Sequence, residues 1–169
     1  MVNTGDGKGK TTAALGVMVR AAGRGMNCCL IQFMKSKTDR YGEHESLEQL
    51  GIEVHTMGDG FTWDTKDPAQ DIKTSEETWD LCVEKMHSTD YDLLVFDELI
   101  YVLDYKFLDL EKVLSELKAV RMKQPNLHII VTGRNASPAL VEAADLVTEM
   151  KEIKHPFHAG IYAQQGIEF

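Results

Sequence analysis

Thr4-Gly5-Asp6-Gly7-Lys8-Gly9-Lys10-Thr11-Thr12 is the stretch that decides how this chain folds. Gly9, Lys10 and Thr11 fit the end of the pattern G-x-x-x-x-G-K-[ST], whose first glycine falls here on Thr4. Glycines at 5, 7 and 9 let the backbone turn and bring N–H groups close to phosphate oxygens. Leu15, Met18, Val19 and Ala22 follow at i, i+3, i+4 and i+7, the spacing of one helix face. A helix starting near Lys10 aims its N-terminus at the same anion. Lys10 adds a point charge, and Thr11 offers a hydroxyl to Mg²⁺. The stretch reads as a phosphate-binding loop, a P-loop, with Gly5, Asp6, Gly7, Lys8, Gly9, Lys10, Thr11 and Thr12 as its nucleotide contacts. The alternative, a flexible basic glycine turn, does not account for the helical period that follows at once. Only Met1, Val2 and Asn3 precede Thr4. The strand that normally feeds such a loop is therefore either very short or completed further upstream.

Outward from the loop, the pattern alternates. Gly23 and Gly25 stop the first helix. Cys28 to Met34 is a short apolar run, read as a buried strand. Glu43 to Leu50 predicts a short helix and Ile52 to Met57 a second strand. Residues 58–68 form a loop, and Pro68 opens a helix with Trp79, Cys82, Val83 and Met86 inward. Tyr91 to Phe96 is a strand leading to Asp97 and Glu98. Leu110, Val113, Leu114, Leu117 and Val120 mark another helix. Leu127 to Val131 is a strand running into Thr132-Gly133-Arg134, Pro138 to Ala144 a short helix, and Leu146 to Ile153 a last strand. Strands alternating with helices predict an α/β fold of the P-loop NTPase kind, a mostly parallel sheet with helices on both faces. Residues 1–169 read as one nucleotide-binding domain, with no internal repeat or linker, and ligands of such sheets bind at the carboxyl ends of the strands.

The composition agrees with that reading. A chain of 169 residues with 43% hydrophobic content can bury a sizeable core. A net charge of −9 argues against nucleic acid as a partner, which needs a basic face, but not against a local positive pocket for ATP. Cys28, Cys29 and Cys82 have no metal-ligand spacing and suggest buried thiols in a reducing, cytoplasmic setting. No apolar run approaches the roughly 20 residues of a membrane helix, and no signal peptide is visible.

Three further constellations carry chemistry. Leu93-Leu94-Val95-Phe96-Asp97-Glu98 is an apolar strand ending in carboxylates, the usual second half of a P-loop Mg²⁺ site. Asp97 and Glu98 join Thr11 as the expected metal partners; Glu98 can alternatively act as a base toward water, and a solvated acidic turn is the plain reading. Gly58-Asp59-Gly60-Phe61-Thr62-Trp63 sets two aromatics in a polar loop, either as a local core plug or as a stacking surface. Arg134 stands at the same rim as the P-loop, free to reach a phosphate or simply on the surface. His155 in the tail reads as structural or solvated sooner than functional.

Taken together these pieces resemble the P-loop type ATP:corrinoid adenosyltransferases, also called cob(I)yrinic acid a,c-diamide adenosyltransferases. The resemblance runs through Thr4 to Gly16, Gln32-Phe33, Met57 to Trp63, Phe96-Asp97-Glu98-Leu99, Thr132-Gly133-Arg134, Lys154 to Phe157, Ala159-Gly160 and Gln164 to Ile167. The missing first glycine is part of the likeness; Ser36 to His44 is only loosely similar. The resemblance implies attack of Co(I) of a reduced corrinoid on the 5′ carbon of ATP, with triphosphate leaving. It implies that Lys10 and Mg²⁺ stabilise that leaving group, while Phe61 and Trp63 pack on the lower corrin face and displace the axial ligand. It further implies a homodimer and a reduced flavoprotein electron donor. Two other readings fit a P-loop: an ATPase or small-molecule kinase, which would yield phosphate or ADP, and a nucleotide-sensing module without turnover.

Overall fold

A computed structural model describes residues 1–58 and 68–168. Its strands are β1 (Val2–Thr4), β2 (Cys28–Ser36), β3 (Glu53–Gly58), β4 (Leu93–Asp97), β5 (His128–Thr132) and β6 (Val147–Glu149). The helices are α1 (Lys10–Ala22), α2 (Gly42–Gln49), α3 (Pro68–His87), α4 (Leu99–Asp104), α5 (Leu110–Lys123) and α6 (Pro138–Ala143), with a 3-10 turn at Pro156–Ala159. The strands lie in the order β3-β2-β4-β5-β1-β6, and every neighbouring pair is parallel. This is the expected α/β architecture, with the sheet parallel throughout.

Both faces are covered, so the central strands must be apolar on both sides. In β2, Cys28 and Leu30 join Ala14, Met18 and Ala21 of α1 and Leu47 of α2 on one face. Cys29, Ile31 and Phe33, alternating with them, join Trp79, Cys82 and Met86 of α3, Leu99 and Val102 of α4, and Val113 and Val120 of α5 on the other. Trp79 meets Phe96 edge-on at 6.3 Å between ring centres, a favoured aromatic geometry. All three cysteines are free thiols inside this core. No described helix is long and apolar enough to cross a membrane.

Three expectations need correction. Val19 is 49% exposed, and α1 turns Ala14, Met18 and Ala21 inward with Lys10 at its head. The small alanines let the helix lie close on the sheet, which a count of large apolar residues misses. The last strand is three residues long, because the Met150 carbonyl leaves the sheet to accept from the Gly7 amide at 2.7 Å. Helix α4, unexpected from sequence, begins directly after Glu98, whose left-handed backbone (φ 66°) converts strand to helix without a linker. Within the given sequence the first strand spans Val2–Thr4. Val2 and Asn3 pair with Val131 and Thr132 of β5 on one side and with Val147 and Thr148 of β6 on the other.

Candidate functional site

The carboxyl ends of β1, β4 and β5 bring the P-loop, the acidic pair and Thr132-Gly133-Arg134 to one rim. Thr4, where the general motif has glycine, is still strand: it pairs with Glu149 of β6, its carbonyl accepts from the Met150 N–H at 2.7 Å, and its hydroxyl accepts from the Ala136 N–H at 3.2 Å. The turn itself begins at Gly5, in the left-handed region at φ 96°. A Cβ there would stand 2.5 Å from the Met150 carbonyl oxygen, so glycine is required both by conformation and by space. Gly9, also left-handed, ends the turn and caps α1 without any side-chain bond. The first amides of α1 therefore stay available to an anion.

Lys10, 9% exposed, folds back over the loop and donates to the carbonyls of Gly5 (2.7 Å) and Gly7 (2.6 Å). Burial, then the neighbouring Arg134, lowers its pKa. Arg134 reaches across and donates to the Asp6 carbonyl at 3.2 Å. The Lys8 ammonium instead pairs with Glu168 of the tail at 3.0 Å. Asp6 and Thr12 are exposed at the rim. The expected loop contacts thus stand together, with Lys8 turned sideways.

Asp97 is the hub beneath the loop. It is fully buried, and its carboxylate accepts from the hydroxyls of Thr11 (2.8 Å) and Thr132 (2.7 Å) and from the Gln32 amide (3.2 Å). Because Thr11 spends its proton on Asp97, its oxygen lone pairs are left for a cation. Asp97 itself is well supplied with donors and stands behind Thr11. Glu98 is different. Its backbone N–H donates to Thr132 Oγ1 at 2.9 Å, while its Oε2 is buried and has no hydrogen-bond partner among the described residues. Burial, then the charge of Asp97, pushes its pKa up to about 8, against the opposing pull of Lys35, Lys10 and Arg134. An orphaned buried carboxylate oxygen beside a directed hydroxyl is a donor set that suits a hard divalent cation. Thr11 and Glu98 would hold Mg²⁺, and Asp97 would orient Thr11.

Four contributors to this site had no role assigned from sequence, although Gln32 and Thr132 lie in stretches that carry the family resemblance. Gln32 is a fully buried amide within the apolar run of β2, and that polar interruption was the available signal. His44 and Thr56 bind it, and Thr132 binds Asp97. No spacing rule links residues so far apart in sequence. Phe61 and Trp63 lie outside the described residues. His155 caps the 3-10 turn, its Nδ1 accepting from the Phe157 N–H at 3.1 Å, in line with a structural role. Cys29, Glu53 and His55 stand together at the far edge of the sheet, with ligand atoms within 4.8 Å of one another. The cation there is the Lys85 ammonium, 2.9 Å from Glu53, and burial pushes the Cys29 thiol up to about 12.

The profile of the family described as ATP:corrinoid adenosyltransferase BtuR/CobO/CobP matches residues 1–169. A corrinoid adenosyltransferase of Pseudomonas aeruginosa is 42% identical over 171 residues, covering 100% of this chain and 82% of that protein. One from Escherichia coli K12 is 39% identical over 169 residues, covering 100% of this chain and 84% of that protein. Among solved structures, the RadB recombinase is similar at a TM-score of 0.47 and 15% identity, over 92% of this chain and 76% of that one.

Proposed function

This chain belongs to the ATP:corrinoid adenosyltransferase family, and from that membership we propose how its loop and acidic pair work. The reaction is transfer of the 5′-deoxyadenosyl group of ATP to Co(I) of a corrinoid in cobalamin biosynthesis or salvage. A cobalt–carbon bond forms from the Co(I) electron pair, the bond from C5′ to the bridging oxygen breaks, and triphosphate leaves with that pair. No proton needs to be removed, so the protein's task is positioning and charge stabilisation.

The P-loop amides, the N-terminus of α1 and Lys10 grip the triphosphate. Arg134, already bonded to the loop at Asp6, adds a second cation at the rim. Thr11 and Glu98 hold Mg²⁺, which supplies electrostatic stabilisation of the growing phosphate charge. Phe61 and Trp63 serve the corrin face, and a homodimer and a reduced flavoprotein donor complete the assembly; these roles rest on the family resemblance. Three unpaired thiols fit a cytoplasmic setting.

The observation that carries the reading is the junction of Thr11, Asp97 and the orphaned Glu98 under a P-loop, in a chain that matches this family from end to end. Incubation with ATP, Mg²⁺ and chemically reduced cobalamin should give the spectrum of a new cobalt–carbon bond and free triphosphate in equal amounts. Release of orthophosphate or ADP without cobalt alkylation would return the chain to the ATPase or kinase reading. Phe61→Ala or Trp63→Ala should cut adenosylation and leave ATP affinity nearly intact.

A further inference from the structure

Gln32 is fully buried on β2, where an unpaired amide would cost several times what a typical hydrogen bond contributes. Both of its ends are used. Its Nε2 donates to Asp97 Oδ2 at 3.2 Å. Its Oε1 stands 2.7 Å from His44 Nε2 and 3.2 Å from the Thr56 hydroxyl. The other His44 nitrogen, Nδ1, faces the Tyr41 N–H at 3.4 Å and must accept. These contacts have one consistent proton assignment. His44 is neutral, protonated on Nε2, and donates to Gln32, which donates to Asp97; Asp97 then accepts from Thr11.

The direction has a consequence. A carboxamide can rotate by half a turn at little steric cost, and only its neighbours decide which end faces Asp97. Two donors at Oε1, the ring N–H of His44 and the Thr56 hydroxyl, select the orientation that gives Asp97 an N–H instead of a carbonyl oxygen. His44 sits on α2, which covers the opposite side of the sheet from α3 to α6. It is 5% exposed, so water does not readily replace it.

We propose that His44 and Gln32 form a positioning relay that fixes the Asp97 carboxylate, and through it aims the Thr11 hydroxyl at Mg²⁺. The inference rests on the Mg²⁺ assignment in the proposed function. Outer-shell partners of metal ligands of this kind typically change metal affinity by about 10–100-fold when removed.

The test is ATP binding by titration calorimetry at graded Mg²⁺, with a parallel series in EDTA, on wild type, His44→Leu and His44→Gln. Gln places an N–H close to where the imidazole Nε2 stands and can restore the donor. The expected result for His44→Leu is a Mg²⁺ requirement raised by about tenfold, with Mg²⁺-free ATP affinity within about twofold of wild type and His44→Gln restored to within about threefold. An unchanged Mg²⁺ requirement in His44→Leu overturns the relay, as does an equal loss of ATP affinity with and without Mg²⁺, or no restoration by Gln. A wild type that binds ATP equally well without Mg²⁺ overturns the metal assignment and the relay with it, and is told apart by the wild-type series alone. Should His44→Leu not fold, ¹⁵N NMR of the wild-type imidazole decides. A neutral ring protonated on Nε2 supports the relay, and one protonated on Nδ1 refutes it.

Discussion

Replacing Glu98 by Gln should make the ligand-free protein less sensitive to alkaline pH, although it removes a proposed metal ligand. Glu98 ionises near 4.5 in the unfolded chain and near 8 in the folded one, because burial and then Asp97 oppose its charge. Between those values the folded state holds a proton that the unfolded state has lost. Stability therefore falls as pH rises through this window, and the whole cost is present above pH 8. Each pH unit is worth about 1.4 kcal/mol, so the wild type should lose roughly 2–3 kcal/mol between pH 6 and pH 8 through this group. The loss accrues steadily across the interval, because the two states differ by up to one bound proton throughout it. For a domain of this size it corresponds to a fall in Tm of about 5–10 °C.

The amide of Glu98→Gln cannot ionise, so its Tm should stay flatter over the same range, and the difference between the two proteins removes the contribution of every other titrating group. Thermal unfolding followed by circular dichroism, in EDTA, at pH 6, 7 and 8, gives the numbers. Added Mg²⁺ and ATP should then rescue the wild type most at pH 8, where a cation finds a ready carboxylate, while the gain from Mg²⁺ over ATP alone should be small for the variant. Parallel pH curves for the two proteins without ligand would refute the reasoning, because they would mean that Glu98 ionises normally in the folded state.

Lys10→Ala should abolish ATP binding measured by calorimetry, since its ammonium is the buried cation that closes over the loop carbonyls. Gly5→Ala should unfold the protein by more than about 2 kcal/mol in urea titrations, as it combines a left-handed φ with a Cβ inside contact distance of the Met150 carbonyl. Gly16→Ala is the opposite control: it is exposed on α1 with nothing within 4 Å, and should stabilise by about 0.5–1 kcal/mol.

The sheet and its order of elements were legible because both signals behind them are local. Apolar runs at 28–34 and 93–96 are strands that must be buried on two faces, and Gly5-x-Gly7-x-Gly9 before a helical period has few other uses. What was illegible is non-local. The residue at position 19 obeys the helical period as well as the one at position 18, yet α1 is rotated so that alanines meet the sheet. Helix α4 follows its strand through one left-handed residue, so no turn composition announces it. At the candidate site, the motif residues Lys10, Thr11, Asp97, Glu98 and Arg134 were singled out from their neighbours in sequence, and the fold brings them to one rim. Gln32 and Thr132 stood out only as parts of the family resemblance, with no role attached, and His44 and Thr56 not at all, because what joins them is a network closed only when β2, β3, β4, β5 and α2 assemble.

That division has a physical cause. A loop that grips phosphate does so with its own backbone, so its chemistry must be written in consecutive residues. A carboxylate that stands behind a metal ligand needs only to be held, and any donor the fold delivers can hold it. Asp97 takes its three donors from α1, β2 and β5, three segments that meet only in the folded chain. Substitutions at the loop should therefore act on ATP affinity directly. Substitutions at Thr132 should act through Asp97 and Thr11, raising the Mg²⁺ requirement first. Thr132→Val, which keeps the shape and removes both the donor to Asp97 and the acceptor for the Glu98 N–H, separates the two cases. Calorimetry should show Mg²⁺-free ATP binding near the wild-type value and a Mg²⁺ requirement higher by about tenfold. An equal loss in both series would mean that the acidic pair and the loop are one unit, and that Asp97 does more than hold Thr11.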